Sequence, residues 1–308
     1  MRRTFTFATV LLSLPLYCIV AAPATPATYQ RPVMTWVPPY AVARCKARLE
    51  ESFAGAGMKD ALTHLGLQFW KPTKDGGLAY AGRTNEVNDA AVAELRDWGR
   101  TKGVRVLLCV YNAVSGSWDW SLARAGFAEN RDKFIDALIA EVDRLQLDGV
   151  DVDLEGNGSF EADKDAFVDF IRRLSERLHG AGRHLTVDTF SYQWHAPNQT
   201  WWPDLLPHVD ALTTMGYEEI GANAAEWRSY AAQKTAADKH ASKLMIGLPS
   251  GRDEWRGSKA MEHLDWLKKD GEVGVSFWDA QLKGAAWRKP DIWKTLKEIS
   301  GKASSRSP

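Results

Sequence analysis

Residues 148–155 of this chain read DGVDVDLE, and this stretch decides both the fold and the site. Acidic and apolar residues alternate in it with a period of two, which predicts a β-strand with one apolar face and one acidic face. The acidic face carries Asp151, Asp153 and Glu155. Neighbouring acids lie roughly 6–7 Å apart along a strand, so at least one of their pKa values should rise.

The sequence around this strand predicts that both of its faces are buried. Helical patterns over residues 130–145 and 160–178 flank it, and a strand between two helices indicates a parallel sheet. Parallel strands are covered on both faces. A half-exposed strand would simply present its acids to water, whereas a buried row of acids is costly and indicates a role in chemistry.

Strand and helix patterns alternate along the rest of the chain. The predicted strands cover residues 33–37, 65–70, 104–110, 148–155, 184–190, 211–215, 243–248 and 274–278. Eight strands, each followed by a helix or a loop, predict an α/β fold, a (β/α)8 TIM barrel in a single domain over residues 31–300. We interpret residues 71–82, KPTKDGGLAYAG, as a glycine-rich loop.

Composition limits the classes of partner. The 308 residues hold 39 Lys and Arg against 39 Asp and Glu, so no net positive charge attracts nucleic acid or an anionic membrane. The chain also contains 14 Trp, whose flat faces suit cores and sugar rings alike. We expect a monomer that binds neither nucleic acid nor, once processed, a membrane.

The first 22 residues resemble an export signal. Arg2 and Arg3 precede an apolar run over residues 7–20, which ends in small residues. We expect residues 1–22 to be cleaved, residues 23–30 and 301–308 to be disordered, and the protein to be secreted or periplasmic. Cys45 and Cys109 stay in the mature chain, either as a disulfide or as two buried thiols.

Polar and aromatic residues at strand ends mark the mouth of the predicted barrel, where the active sites of such folds lie. Their concentration favours a sugar site, because the C–H faces of sugars stack on aromatic rings. The candidates for substrate contacts are Trp36, Trp70, Tyr111, Asn112, Tyr192, Gln193, Trp194, Tyr217 and Trp278.

The acid-bearing stretch resembles glycoside hydrolase family 18, which comprises chitinases and endo-β-N-acetylglucosaminidases. The family motif D-x-x-D-x-D-x-E is matched by Asp148, Asp151, Asp153 and Glu155, with Gly149 inside it. Three further places compare with the family's pattern. The segment MGYE, from Met215 to Glu218, is similar to its M-x-Y-D, Trp278 matches its eighth-strand Trp, and Asn112 stands in VYNAVSG where S-x-G-G is expected.

The resemblance implies hydrolysis assisted by the substrate itself. Glu155 would be the general acid, and Asp153 would orient the acetamido group of an N-acetyl sugar and stabilise the oxazolinium ion. Asp151 would share a proton with Asp153, and Tyr217 would bind the N-acetyl group. Trp278 would form the floor of the central subsite, whereas Asp148, out of phase with the other acids, would brace the start of the strand.

Chitin or its soluble oligomers is the expected substrate, and the short span over residues 248–273 leaves no room for the α+β insertion of processive chitinases. An endo-β-N-acetylglucosaminidase acting on N-glycan cores is the alternative within the same chemistry. A chitinase-like protein that binds without cutting is a second alternative. No cofactor is expected, and His64, His184, His195 and His208 show no metal-ligand spacing.

Overall fold

The computed structural model describes residues 29–82, 86–217, 228–250 and 257–302, with side chains of the last range described from residue 260. The predicted signal, most of the spacer, most of the tail and Glu218 lie outside these residues. Within the described part of the chain, no helix is long and apolar enough to cross a bilayer.

Eight parallel strands close into a barrel, which confirms the predicted (β/α)8 fold. The strands are β1 Val33–Val37, β2 His64–Pro72, β3 Leu78–Tyr80, β4 Arg105–Tyr111, β5 Ala113–Val114, β6 Ser117–Trp118, β7 Gly149–Asp153, β8 His184–Thr189, β9 Ala211–Thr214, β10 Leu244–Gly247 and β11 Gly274–Phe277. The order of the strands around the barrel is β1, β11, β10, β9, β8, β7, β4 and β2, and β2 pairs back onto β1.

Helices follow the strands and form the outer layer. They are α1 Val42–Glu50, α2 Met58–Ala61, α3 Asp89–Lys102, α4 Trp120–Arg124, α5 Arg131–Leu145, α6 Lys164–Gly180, α7 Trp202–Leu205, α8 Tyr230–Ala237, α9 Gly257–Asp270 and α10 Pro290–Ser300. Asn88 caps α3 by accepting from the Ala91 N–H, and Gly103 ends it in the left-handed region. The predicted helix over 160–178 excludes Phe160, whose φ of 46° is left-handed, and it is α-helical only from Lys164 because Glu161–Asp163 form a 3-10 turn.

The predicted glycine-rich loop is in fact a hairpin. Strand β2 runs on to Pro72, a turn closed by the Thr73 N–H and the Gly77 carbonyl follows, and β3 returns antiparallel to β2. A second, two-residue hairpin pairs β5 with β6 beyond the end of β4. Both additions lie outside the eight-stranded barrel repeat, so the alternation of strand and helix gave no sign of them.

The two faces of β7 differ as its sequence predicts. Val150, Val152 and Leu154 are fully buried in the outer core between the barrel and its helices, and the acids face inward. Gly149 is required where β8 passes, because a Cβ there would lie 2.0 Å from the His184 carbonyl oxygen.

Two observations complete the fold. Asp148 braces the start of β7, since its Oδ2 accepts from the Val106 N–H of β4 at 2.7 Å. Cys45 and Cys109 are both buried and free, which settles the alternative in favour of two thiols.

Candidate active site

The three acids of β7 rise from the barrel interior to its mouth. Asp151 and Asp153 lie on the strand, whereas Glu155 follows two residues after the strand has ended. Their exposed fractions are 0%, 2% and 6%. Burial disfavours the charged form of each carboxyl group, and it is the main cause of the raised pKa of all three.

Asp151, the deepest acid, is held by donors on both oxygens. Its Oδ2 accepts from the Trp36 indole N–H at 2.7 Å, and its Oδ1 accepts from the Thr186 hydroxyl at 2.5 Å. Burial raises its pKa, and these two bonds together with the Cys109 thiol oppose the rise. Asp151 therefore has a satisfied carboxyl group in a closed environment.

Asp153, one step higher, lies between the other two acids. Its Oδ2 accepts from the side-chain amide of Gln68 at 2.7 Å, whereas its Oδ1 is buried with no such partner. Burial raises the pKa of Asp153 to about 7, the negative charge of Asp151 adds to the rise, and hydrogen bonds from Glu155 and Gln68 oppose it. Asp153 can therefore gain or lose a proton near neutral pH.

Glu155 lies at the rim end of the acid ladder that Asp151, Asp153 and Glu155 form along the inner face of the barrel. Burial, then the charge of Asp153, raises its pKa well above the ordinary value, so ionisation of Asp153 favours the protonated form of Glu155. Asn112 fixes its backbone: the Asn112 Oδ1 accepts from the Glu155 N–H at 2.9 Å, and the Asn112 Nδ2 donates to the Glu155 carbonyl at 2.8 Å. A proton donor is thus held in a defined place.

Three aromatic side chains gather beside the acids. Trp36 is fully buried, and its ring centre lies 5.8 Å from that of Trp278 and 6.3 Å from that of Tyr217. Trp278 and Tyr217 are partly exposed and border a cavity of about 230 Å³ together with Tyr40 and Asp279. Burial raises the pKa of Tyr217 well above the ordinary value, so its hydroxyl remains a hydrogen-bond donor.

The prediction that Trp70 lines the mouth is wrong. Trp70 is 1% exposed and belongs to the outer core, where its indole N–H donates to Glu141 of α5 at 3.0 Å and its ring packs on Tyr80. Strand β2 has an irregularity between Leu67 and Trp70. An extra residue there shifts the alternation by one position and turns the indole outward.

Other predicted contacts lie at different depths. Tyr111 ends β4 and is 8% exposed, and Met215, just after β9, is partly exposed. The loop after β8 carries Tyr192, Gln193 and Trp194, with the Tyr192 and Trp194 rings stacked 5.0 Å apart and Trp194 54% exposed. This loop is fixed beside the acids, because Ala196 and Gly156 exchange backbone hydrogen bonds of 2.8 and 3.0 Å.

Several tryptophans near the mouth pack rather than face it. Trp201 and Trp202 are fully buried, and the Trp202 indole donates to the Thr189 hydroxyl at 2.7 Å. Trp120 stacks on Phe160, which is 36% exposed. Trp118, which is partly exposed, and Phe160 border an open groove of about 650 Å³ that also includes Asn157, two residues beyond Glu155.

Sequence reasoning missed two polar side chains of the site, Gln68 and Asp188. Asp188 on β8 is 2% exposed, and its Oδ1 is buried without a hydrogen-bond partner. Its pKa is raised well above the ordinary value by burial and then by Asp151 and Asp153. The signal was available, because Thr186 and Asp188 alternate with Leu185 and Val187 as the acids of β7 alternate with their apolar neighbours.

A carboxylate oxygen of Asp153, one of Asp188 and the Cys109 sulfur lie within 4.8 Å of one another. Such a group can hold a cation only when its ligands are deprotonated. Burial raises the pKa of the Cys109 thiol well above its ordinary value, and the three nearby acids raise it further. The group therefore suits the sharing of a proton better than the binding of a metal.

Comparison with solved structures shows the same fold in proteins of low sequence identity. The chitinase of Chromobacterium violaceum matches with a TM-score of 0.66 at 17% identity, over 87% of this chain and 98% of that one. The Group IV chitinase of Ostrinia furnacalis matches with a TM-score of 0.68 at 14% identity, over 88% of this chain and 100% of that one. The spore cortex-lytic enzyme SleL of Bacillus megaterium matches with a TM-score of 0.65 at 14% identity, over 92% of this chain and 77% of that one.

A comparison with curated protein sequences gave no match. The model of the glycosyl hydrolases family 18, however, matches residues 42–304, which include every strand of the barrel from β2 onward and all the acids described above. The chain belongs to glycosyl hydrolases family 18.

Proposed function

We propose that this protein is a retaining glycoside hydrolase that cleaves β-1,4 linkages at N-acetylglucosamine with the help of the substrate's own acetamido group. One observation carries the proposal. Glu155 at the rim is buried against Asp153, so an acid that favours its protonated form and an ionisable one lie side by side, within electrostatic reach of the Tyr217 hydroxyl. That is the arrangement a general acid and its electrostatic partner need.

The first step breaks the glycosidic bond. Glu155 gives its proton to the glycosidic oxygen while the acetamido oxygen of the sugar attacks C1, so the leaving sugar departs as an alcohol. Asp153 accepts a hydrogen bond from the acetamide N–H and stabilises the positive charge of the oxazolinium ion. Tyr217 donates to the acetamido oxygen and helps to hold it in position for attack.

The second step restores the enzyme. Glu155, now ionised, takes a proton from a water molecule whose oxygen adds to C1, and the C1–O bond of the oxazolinium ring breaks. The two inversions at C1 give net retention of configuration. The sugar supplies the nucleophile, so the site needs only one acid at the scissile bond in place of the usual pair.

The shape of the mouth favours chitin or its soluble oligomers cleaved within the chain. Two spaces open near the strand ends, a cavity lined by Tyr217 and Trp278 and an open groove that includes Asn157, two residues beyond Glu155, and an open groove accepts a long polymer at many positions. The solved chitinases of similar fold support this choice of substrate. We further propose that the protein acts after export, in the periplasm or outside the cell.

Hydrolysis of defined substrates tests the proposal. The purified protein is incubated with chitotetraose, colloidal chitin, a high-mannose glycoprotein and spore cortex, and early products are examined by mass spectrometry and by NMR of the anomeric proton. We expect release of N-acetylglucosamine oligomers from chitotetraose as β-anomers, unaffected by a chelator.

Other outcomes separate the alternatives. Cleavage of the glycoprotein alone would identify an endo-β-N-acetylglucosaminidase, and cleavage of cortex alone would point to a function like that of SleL. Binding of chitotetraose without turnover at any pH would favour the carbohydrate-binding alternative. An α-anomeric first product would contradict the mechanism.

A further inference from the structure

Asp188 lies beside the acid ladder but outside the motif that defines it. Strand β8 pairs in parallel with β7, and the register places Asp151 beside Thr186. Two residues further along both strands, Asp153 and Asp188 are therefore lateral neighbours on the inner face of the barrel. Carboxylate oxygens of the two residues lie within 4.8 Å of each other.

Hydrogen bonding distinguishes Asp188 from Asp151 as a partner for Asp153. Both oxygens of Asp151 are already engaged by Trp36 and Thr186. In contrast, Oδ1 of Asp153 and Oδ1 of Asp188 are each buried without a partner. A buried polar atom left unpartnered is costly, and a hydrogen bond between the two neighbouring carboxyl groups removes that cost for both residues.

We propose that Asp188 is a positioning residue that keeps its proton and donates it in a hydrogen bond to Asp153 while Asp153 carries negative charge. This inference rests on the proposed function, because it concerns the state of Asp153 during the reaction. A rotation of either carboxyl group, or one bridging water molecule, closes the gap of up to 4.8 Å.

The proton balance is consistent with the proposed steps. Before the reaction, Glu155 and Asp188 are protonated and Asp153 is ionised. When Glu155 gives up its proton, two negative charges face the oxazolinium ion, and Asp153 is stabilised from both sides by the acetamide N–H and by the Asp188 O–H. Asp188 neither gains nor loses its proton in the cycle, and Asp151 remains bound to its own donors.

The groups around Asp188 favour its neutral form. From β7 it faces Asp151 and Asp153, and the negative charge of each raises its pKa further after burial. Cys109 of β4 and the Glu155 carboxyl group, beyond β7, also lie within its electrostatic reach, as does Tyr217, beyond β9. The hydroxyl of Thr213 on β9 opposes the rise. The negative charges of its neighbours disfavour ionisation of the Asp188 carboxyl group, so its protonated form is stabilised.

Two substitutions test this role through the pH profile of kcat on chitotetraose. Asp188→Ala removes the donor, so the pKa of Asp153 should rise. We expect the acid limb of kcat to move up by about one pH unit and kcat to fall about tenfold or more, with KM nearly unchanged. Asp188→Asn keeps a neutral N–H donor, and its acid limb should stay within about 0.3 pH unit of wild type.

Asp148→Asn is the matched control, because it neutralises another aspartate at the opposite end of β7 and should leave the profile in place. An acid limb that does not move in Asp188→Ala would overturn the proposal. So would a limb that moves to lower pH, since that shift shows that Asp188 is ionised and repels Asp153. If kcat falls equally in both Asp188 variants and the acid limb of neither pH profile moves, Asp188 has a structural role only.

A titration by ¹³C NMR of the aspartate carboxyl carbons keeps the test independent of turnover and of variant folding. In wild type, Asp188 should remain protonated at the pH where Asp153 ionises, and an Asp188 that is ionised there contradicts the proposal. If the protein cleaves none of the substrates but the titration shows this order, the proposed function fails and the pairing of Asp188 with Asp153 stands.

Discussion

The side-chain amide of Asn112 bonds both the backbone N–H and the backbone carbonyl of Glu155, at 2.9 and 2.8 Å. Strand β4 and strand β7 are paired up to Tyr111 and Asp153, so Asn112 continues that pairing with its side chain after both strands have ended. The same amide also donates to the Asp119 carbonyl at 3.0 Å and ties down the hairpin that follows β4. The position of Glu155, the proposed general acid, therefore depends on one buried amide.

Replacing that amide should reduce the rate of catalysis more than it weakens substrate binding. Asn112→Ala leaves the Glu155 N–H and carbonyl without partners, at a cost of about 1–3 kcal/mol in the free energy of unfolding. A displaced acid should lower kcat about tenfold to hundredfold with a smaller change in KM. Thermal melting and initial rates measure the two effects, and a wild-type kcat in a destabilised variant would show that Asn112 only stabilises the fold.

Glu155→Gln removes the transferable proton and keeps the shape of the side chain. We expect kcat to fall about 10²-fold to 10⁴-fold, while calorimetry still detects the binding of chitotetraose. The variant should also be more stable than wild type at pH 8, because it removes a buried acid whose pKa is raised well above the ordinary value. Turnover at the wild-type rate would remove Glu155 from its assigned role.

Trp36 and Trp70 form a matched pair of buried indoles that each donate to a carboxylate, one inside the barrel and one outside it. Trp36→Phe loses the 2.7 Å bond to Asp151, so the pKa of Asp151 should rise, stability should fall by about 1–3 kcal/mol, and kcat should fall. Trp70→Phe loses the bond to Glu141 and should cost stability while kcat stays at the wild-type value. Equal effects of both variants on kcat would contradict the placement of the two indoles.

Two histidines at the opposite end of the barrel, the fully buried His64 and the partly exposed His184, should make the fold sensitive to acid. Burial lowers the pKa of His184 to about 4 and that of His64 well below the ordinary value, with Arg105 adding to the effect on both. The unfolded chain binds protons at both residues below about pH 6.5, whereas folded His184 does so only below about 4. Stability contributed by neutral His184 is therefore lost as the pH falls from about 6.5 to about 4, by at most about 1.4 kcal/mol per pH unit.

His184→Gln isolates this contribution from that of the acids in the mouth. Asp153 acts in the opposite sense, because its raised pKa of about 7 means that the folded state holds the extra proton. The difference in melting temperature between variant and wild type should shift in favour of the variant as the pH is lowered from 7 to 5. A difference that does not change with pH would show that His184 has an ordinary pKa.

Period-two alternation in β7 was sufficient to assign the inner and outer faces of that strand, because a buried strand offers its side chains only two directions. The same rule failed for Trp70, since an irregularity in β2 changes the direction of every residue after it. Asp188 was missed although it alternates with Leu185 and Val187, because these apolar neighbours made β8 resemble an ordinary core strand. The local sequence pattern thus identifies the strands and helices, whereas the pairing register between strands decides which side chains come into contact.

The sequence by itself determined the barrel, the acid ladder and the family, since all three follow from alternation and spacing within single segments. Only the tertiary structure decided that Asn112 holds Glu155, that both oxygens of Asp151 are occupied and that Asp188 lies beside Asp153. These relationships join strands that are 35 to 115 residues apart in the chain. Their geometry is set by the closure and stagger of the barrel, which no single segment encodes.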